Sequence, residues 1–247
     1  MEKRTDKNSY TIIFAVVMVL LVGSLLAFAS STLSGKISEN KRLEKQQNIL
    51  YAMGINENDE SGVVFVSSDK VSGEFSKYIT KQIVIQNGQV TENDEAYLID
   101  IKSEKAKSVA ERRLPLFIGE NNGKTVYVIP IYGKGLWNDI WGYVAINQQL
   151  IIEGVFFDHL GETPGLGANI NQRFFMDDFI GENIMDQDGN YAGVTVAKNN
   201  ADPKNENKED NEVDAIAGST ITGNGVTSMV IGDLKLYVDY IESEKTN

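Results

Sequence analysis

The stretch Asp214-Ala215-Ile216-Ala217-Gly218-Ser219-Thr220-Ile221-Thr222 decides how this 247-residue chain is read. Short apolar runs punctuated by Asn, Gly and Pro precede it, and a helical periodicity follows it. At the junction three hydroxyls, Ser219, Thr220 and Thr222, stand behind Gly218, with a carboxylate upstream at Asp214. A hydroxyl at a glycine-hinged helix entrance has two common uses. One is an N-cap, whose side-chain oxygen satisfies a free backbone N–H. The other is an ester or phosphate site, because a helix N-terminus favours negative charge. The stretch alone leaves both open.

Downstream, past Gly223, Asn224 and Gly225, the residues Val226, Val230, Leu234, Tyr237 and Ile241 recur at spacings of three and four. They predict a terminal helix with one face packed on a domain. Upstream, Lys198 to Glu212 is rich in Asn, Lys, Asp and Glu, which predicts a solvated, mobile loop over 199–213. Further back, Lys81–Gln86 runs into Asn87-Gly88, and Pro115–Gly119 and Thr125–Tyr132 flank Asn121-Asn122-Gly123. Both patterns are hairpin signals. Gly62–Val66, Tyr97–Ile101, Tyr143–Asn147, Ile151–Asp158 and Ala192–Ala197 read as further strands, and Ser103–Arg113 as a polar helix. Strands in succession with few helices between them give an α+β fold rather than a βαβ alternation.

The run Thr11–Ala29 carries no charge and is apolar nearly throughout. About twenty such residues, at ~1.5 Å each, cross a bilayer core. Ala27-Phe28-Ala29 has the form of a signal-peptide cleavage site. The apolar run is longer than a usual signal core, so a retained transmembrane helix over 11–30 is the preferred reading. It divides a short N-terminus, 1–10, from a domain over 31–247. Lys3, Arg4 and Lys7 precede the run and Lys36, Lys41, Arg42 and Lys45 follow it, so charge alone does not orient it. Ser38–Met53 reads as a helix leaving the membrane, stopped at Gly54.

Composition narrows the chemistry. With 35 acidic and 23 basic residues the net charge is −12, which argues against a nucleic-acid partner. The chain has no cysteine and one histidine, His159. Disulfides, zinc–cysteine sites, cysteine-ligated iron–sulfur clusters and His-rich metal sites are excluded. Any redox chemistry must come from an organic cofactor.

Two further clusters accompany the hydroxyls. His159-Leu160-Gly161-Glu162-Thr163-Pro164-Gly165-Leu166-Gly167-Ala168 is a tight, glycine-rich loop whose backbone can approach a ligand, or else an ordinary turn. Gly133-Lys134-Gly135-Leu136-Trp137-Asn138-Asp139-Ile140-Trp141-Gly142 places two tryptophans close together, as core packing or as flat apolar walls.

The Asp214–Thr220 stretch is similar to the D-x-x-S-G-A-T flavinylation motif of membrane redox complexes. Ala217 stands where serine is usual and Ser219 where alanine is usual, and the acceptor threonine is retained. The run from His159 resembles the H-x-G-E-T-P-G-L-G signature of FMN-binding domains in that family. The Gly-Leu-Trp sequence resembles the NqrC family of the sodium-translocating NADH:quinone reductases more than the flavin-carrying relative in the Rnf complex. The order of motifs agrees over nearly the whole chain, although Gly62–Arg113 carries none.

The resemblance implies a strand-rich FMN-binding domain behind a single transmembrane helix, on the periplasmic side of the cell inner membrane. It implies FMN esterified to Thr220 through its phosphate, with Gly218 and Ser219 beside it. Trp137 and Leu166 become apolar walls, Glu162, Thr163 and Gly165 line the site, and Lys198 balances the phosphate. No catalytic residue and no metal site is expected. The implied partners are the other subunits of a six-subunit reductase, membrane lipid, and a flavin transferase that draws on FAD. Electrons would arrive from an iron–sulfur centre elsewhere and leave to another flavin, toward quinone reduction coupled to Na+ export. Neither NADH nor quinone would bind here, and no G-x-G-x-x-G fingerprint lies between a strand and a helix. An FMN-carrying member of the Rnf complex and a non-redox anchored assembly module are the alternatives.

Overall fold

The structure, a computed structural model, describes residues 8–59 and 62–245. Lys3, Arg4 and Lys7, the basic residues ahead of the apolar run, lie outside the described residues. The chain divides into two compact units, residues 1–42 and residues 43–247. Helix α1 (Asn8–Ala52) carries the apolar run and the polar segment after it without a break. Its apolar part is long enough to cross a membrane, and every residue from Asn8 to Lys41 is exposed.

In the second unit α2 (Val71–Tyr78) leads into β1 (Ile79–Gln86), which turns into β2 (Gln89–Glu92). Then come α3 (Ile101–Lys105), β3 (Leu114–Asn121), β4 (Lys124–Lys134), β5 (Asp139–Asn147) and β6 (Ile152–His159). After them follow α4 (Arg173–Met176), β7 (Thr195–Val196), β8 (Glu212–Val213) and α5 (Thr220–Glu244). The first six strands form one antiparallel sheet in the order β2-β1-β3-β4-β5-β6, and β7 pairs parallel with β8. The expected hairpins are present. Asn87 and Gly88 have φ of 48° and 75°, and Asn122 and Gly123 have 51° and 76°. Positive φ at both central residues matches the right-handed twist of the flanking strands, and Asn-Gly tolerates it.

Both faces of the sheet are covered. Phe117, Val128, Ala145 and Gly154 lie side by side on one face. A Cβ on Gly154 would stand 2.4 Å from the Ala52 carbonyl oxygen, so the end of α1 rests here. Its Ile49, Leu50 and Ala52 are buried, as is Met53 just past its end. Gly133, of opposite parity, faces α5, where its Cβ would lie 3.0 Å from Cβ of Met229. The five residues whose spacing predicted the terminal helix are all buried against the sheet.

Several expectations differ from the structure. Tyr97–Ile101 is not a strand: a 3-10 turn at Ala96–Leu98 is followed by α3, and β1 pairs instead with the fully exposed β2. The polar run Ser103–Arg113 holds only the end of α3 and a 3-10 turn. Gly62–Val66 joins no sheet, and the Val66 carbonyl accepts from Nε2 of Gln47. The Ala192–Ala197 run pairs only at Thr195–Val196. The acidic loop, expected to be solvated, is buried in part. Buried Asn205 donates to the Asp178 carbonyl at 2.6 Å and to Oε1 of Glu182 at 2.7 Å, and Lys208 donates to the same carbonyl. Polar anchors of this kind leave no apolar signature in the sequence.

Candidate functional site

The sheet itself gathers the three motifs. The Gly-Leu-Trp sequence is the hairpin loop between β4 and β5, closed by a bond from the Gly135 N–H to the Asn138 carbonyl. The loop after β6 lies beside it, because Ile140 pairs with His159. Helix α5 crosses β4 so closely that a Cβ on Gly225 would sit 2.2 Å from the Lys134 carbonyl oxygen. That contact sets the helix entrance over the same end of the sheet. The helix also starts at Thr220 rather than beyond Gly225, because packing on the sheet outweighs the low helix propensity of Gly223 and Gly225.

A cavity of about 270 Å³ opens where they meet. Leu136, Glu162, Thr163, Leu166 and Gly167 from the two loops line it together with Gly218, Ser219, Thr220, Ile221 and Thr222 from the entrance of α5. Leu136, Leu166 and Ile221 are large apolar residues left exposed at its edge. Trp137, 70 % exposed, stands next to it and donates from Nε1 to the Thr163 hydroxyl at 3.1 Å. Gly165, with φ of 76°, makes the turn that only glycine takes without strain. Lys198 is exposed just after β7 and is not among the lining residues. Trp141 is half-buried within β5.

At the helix entrance the two adjacent hydroxyls differ. Gly218, with φ of 73°, turns the chain, and Ser219 is the N-cap residue. Its side chain makes no capping bond, and its buried Oγ has no hydrogen-bond partner among the described residues. Thr220 is the first helical residue and is exposed. The capping reading therefore fails for both. The first turn leaves backbone N–H groups unsatisfied by the helix, which begins its ladder with Gly223 N–H donating to the Ser219 carbonyl.

Glu162 ties the site together. It is 4 % exposed and accepts from the N–H groups of Leu136 (3.2 Å), Trp137 (2.9 Å) and Asn138 (3.2 Å). The Thr222 hydroxyl donates to it at 2.6 Å. Burial works against ionisation, but the Thr222 hydroxyl and the three N–H groups hold the carboxyl below the usual range. His159 accepts the Glu162 N–H at Nδ1 and so fixes the turn. Asp139 braces the base of the hairpin loop, accepting from Lys102 at 2.7 Å and from Lys134, and these hydrogen bonds hold its carboxyl well below the usual range. Sequence reasoning did not single out Thr222, Gly135, Gly167 or Ile221 as site residues. Their only signal was membership of the same motifs.

Residues 135–234 match the FMN-binding domain family. The NqrC protein of the Na(+)-translocating NADH-quinone reductase of Pseudomonas aeruginosa is 28% identical over 244 residues, which cover 91% of this chain and 90% of that protein. Its counterpart from Neisseria meningitidis is 30% identical over 241 residues, covering 92% and 90%. The crystal structure of the same component from Parabacteroides distasonis is similar with a TM-score of 0.71 at 30% identity, covering 85% of this chain and 96% of that one.

Proposed function

The chain belongs to the NqrC family of the Na(+)-translocating NADH-quinone reductases, and on that premise we propose that it carries electrons through an FMN bound covalently at Thr220. The observation that carries this reading is the setting of that hydroxyl. Thr220 is exposed and lines the cavity, and its hydroxyl has no hydrogen bond to any described residue. It opens a helix whose first N–H groups and dipole favour a phosphate there.

The residues present fit the group. At about 270 Å³ the cavity is slightly below the ~300 Å³ at which small-molecule pockets begin, so it suits part of a flavin and leaves the rest exposed. Leu136, Leu166 and Ile221 offer uncovered apolar surface to a flat ring, and Ser219 Oγ is a buried hydroxyl without a partner. FMN, when bound, takes up and releases electrons. Gly218 keeps the backbone low beside the acceptor. Thr163 holds the indole of Trp137 in one orientation beside the cavity mouth. Lys198 follows a strand whose parallel partner leads into Asp214, and the ladder continues as Ala215 N–H donates to the Asn199 carbonyl. The proposed role of Lys198 is to balance the phosphate charge, although it does not line the cavity.

Attachment belongs to a separate flavin transferase. The Thr220 oxygen bonds to the FMN phosphorus of FAD, the hydroxyl proton is lost, and AMP departs. The apolar part of α1 anchors the protein in the cell inner membrane, with the short N-terminus cytoplasmic and the domain periplasmic. Within the reductase it relays electrons toward quinone while Na+ is exported, and it binds neither NADH nor quinone. Ultraviolet-excited fluorescence in a denaturing gel tests the reading. Protein made with its flavin transferase should fluoresce, Thr220→Val should be dark, and quinone reduction through the complex should stop. A fluorescent Thr220→Val band would overturn the assignment.

A further inference from the structure

Building on the reading above, we infer that Glu162 and Thr222 form a positioning strut. It fixes the separation between the Leu136–Asn138 loop and the first turn of α5, and thereby the shape of the cavity that receives the flavin. Glu162 acts through these neighbours, which take up both oxygens of its carboxylate.

Three observations carry this. First, the carboxylate is already spoken for. Oε1 accepts from Trp137 and Asn138, and Oε2 from Leu136 and Thr222. An ionised carboxylate is acceptor-only, and all four neighbours are donors, so the charged form suits the place. Second, the bonds bridge the β4–β5 loop and the first turn of α5, and no other hydrogen bond between the two is seen among the described residues. The three N–H groups belong to the β4–β5 loop, while Thr222 belongs to α5, two residues past the acceptor threonine. Leu136 and Thr222 both line the cavity, one from the β4–β5 loop and the other from α5.

Third, two motif glycines pack on the strut. A Cβ on Gly135 would lie 2.5 Å from Oε1 of Glu162, and one on Gly167 would lie 2.5 Å from the Thr222 hydroxyl and 2.7 Å from Oε2 of Glu162. A real Cβ does not come so close. These glycines make room for a carboxylate and its hydroxyl partner, and the flavin need not approach them. The motifs G-x-G-L-W and E-T-P-G-L-G thus share one buried centre.

Amide hydrogen exchange on protein made without a flavin transferase tests whether the strut exists. Thr222→Val should speed exchange at Leu136, Trp137 and Asn138 about tenfold, as expected when a charge-assisted bond is lost and the loop opens locally. Thr222→Ser, which keeps the hydroxyl, should restore protection. Visible circular dichroism of the flavin-loaded protein tests what the strut does. Thr222→Val and Gly135→Ala should keep the covalent flavin yet weaken its dichroic band, and Thr222→Ser should not. Gly135 does not line the cavity, so its effect reports the strut rather than a lost contact. Unchanged exchange at the three amides in Thr222→Val, or an unchanged band in both Thr222→Val and Gly135→Ala, would overturn the proposal. A parent protein without covalent flavin would overturn the function proposed above and the flavin half of this one, while the exchange experiment would still decide whether the strut exists.

Discussion

Ser219 and Thr220 are neighbours with opposite environments, and that contrast yields a test. Ser219 Oγ is buried without a partner among the described residues, and Thr220 is exposed at the first helical position. Ser219→Ala removes an unsatisfied buried group, so it should be neutral or stabilising by up to ~1 kcal/mol, read as a higher urea midpoint, with the flavin retained. Thr220→Val breaks no hydrogen bond and should cost under ~0.5 kcal/mol. The sequence shows two adjacent hydroxyls but not which is buried, because burial is decided by the chain that folds over them. Glu182 offers a second test. It is fully buried, and burial raises its carboxyl from 4.5 to about 7 against the pull of Asn205 and Lys208. An acid with a raised value contributes its full stability below pH 4.5 and loses it as pH rises through about 7. The melting temperature should fall across that window, and Glu182→Gln should flatten the fall.

At the scale of elements, the contact between α5 and β4 positions the acceptor. A Cβ at Gly225 would meet the Lys134 carbonyl at 2.2 Å. Gly225→Ala should therefore push the helix off the strand and destabilise the domain by roughly 1–3 kcal/mol, seen in denaturant titration. It should also disturb the flavin spectrum, since the helix entrance shifts with it. The sequence made α5 legible through Val226, Val230, Leu234, Tyr237 and Ile241, and made both hairpins legible through Asn-Gly. The Asn87-Gly88 turn implied a return strand, β2, but nothing marked its extent, because its four residues are all exposed and carry no apolar alternation. Nor did the sequence reveal that Gly223 and Gly225 lie inside the helix, since glycine ordinarily argues for a break and only close packing on the sheet explains it. The acidic loop looked solvated throughout because its contacts with the domain, through Asn205 and Lys208, are polar. The three motifs were readable one by one. Their meeting point was not, because the Glu162–Thr222 bond spans sixty residues.

For the whole molecule, the two-unit division and the burial of the end of α1 set where the chain can be cut. The buried residues Ile49, Leu50 and Met53 belong to the second unit, although they lie on the same helix as the apolar run or just past its end. A chain beginning at Lys41 should fold cooperatively and accept flavin. One beginning at Ile55 should not, because three buried side chains at ~1.5–3 kcal/mol each rival a domain stability of ~5–15 kcal/mol. The full chain should stay in the membrane fraction through alkaline washing. The central claim, that one flavin is esterified to Thr220, is tested most directly by mass spectrometry of the full chain made with its flavin transferase, intact and after proteolysis. The account predicts a mass increase of one FMN less one water, on the peptide containing Ala217-Gly218-Ser219-Thr220, with fragmentation assigning it to Thr220. An unmodified intact mass, or an adduct assigned to Ser219, would contradict it.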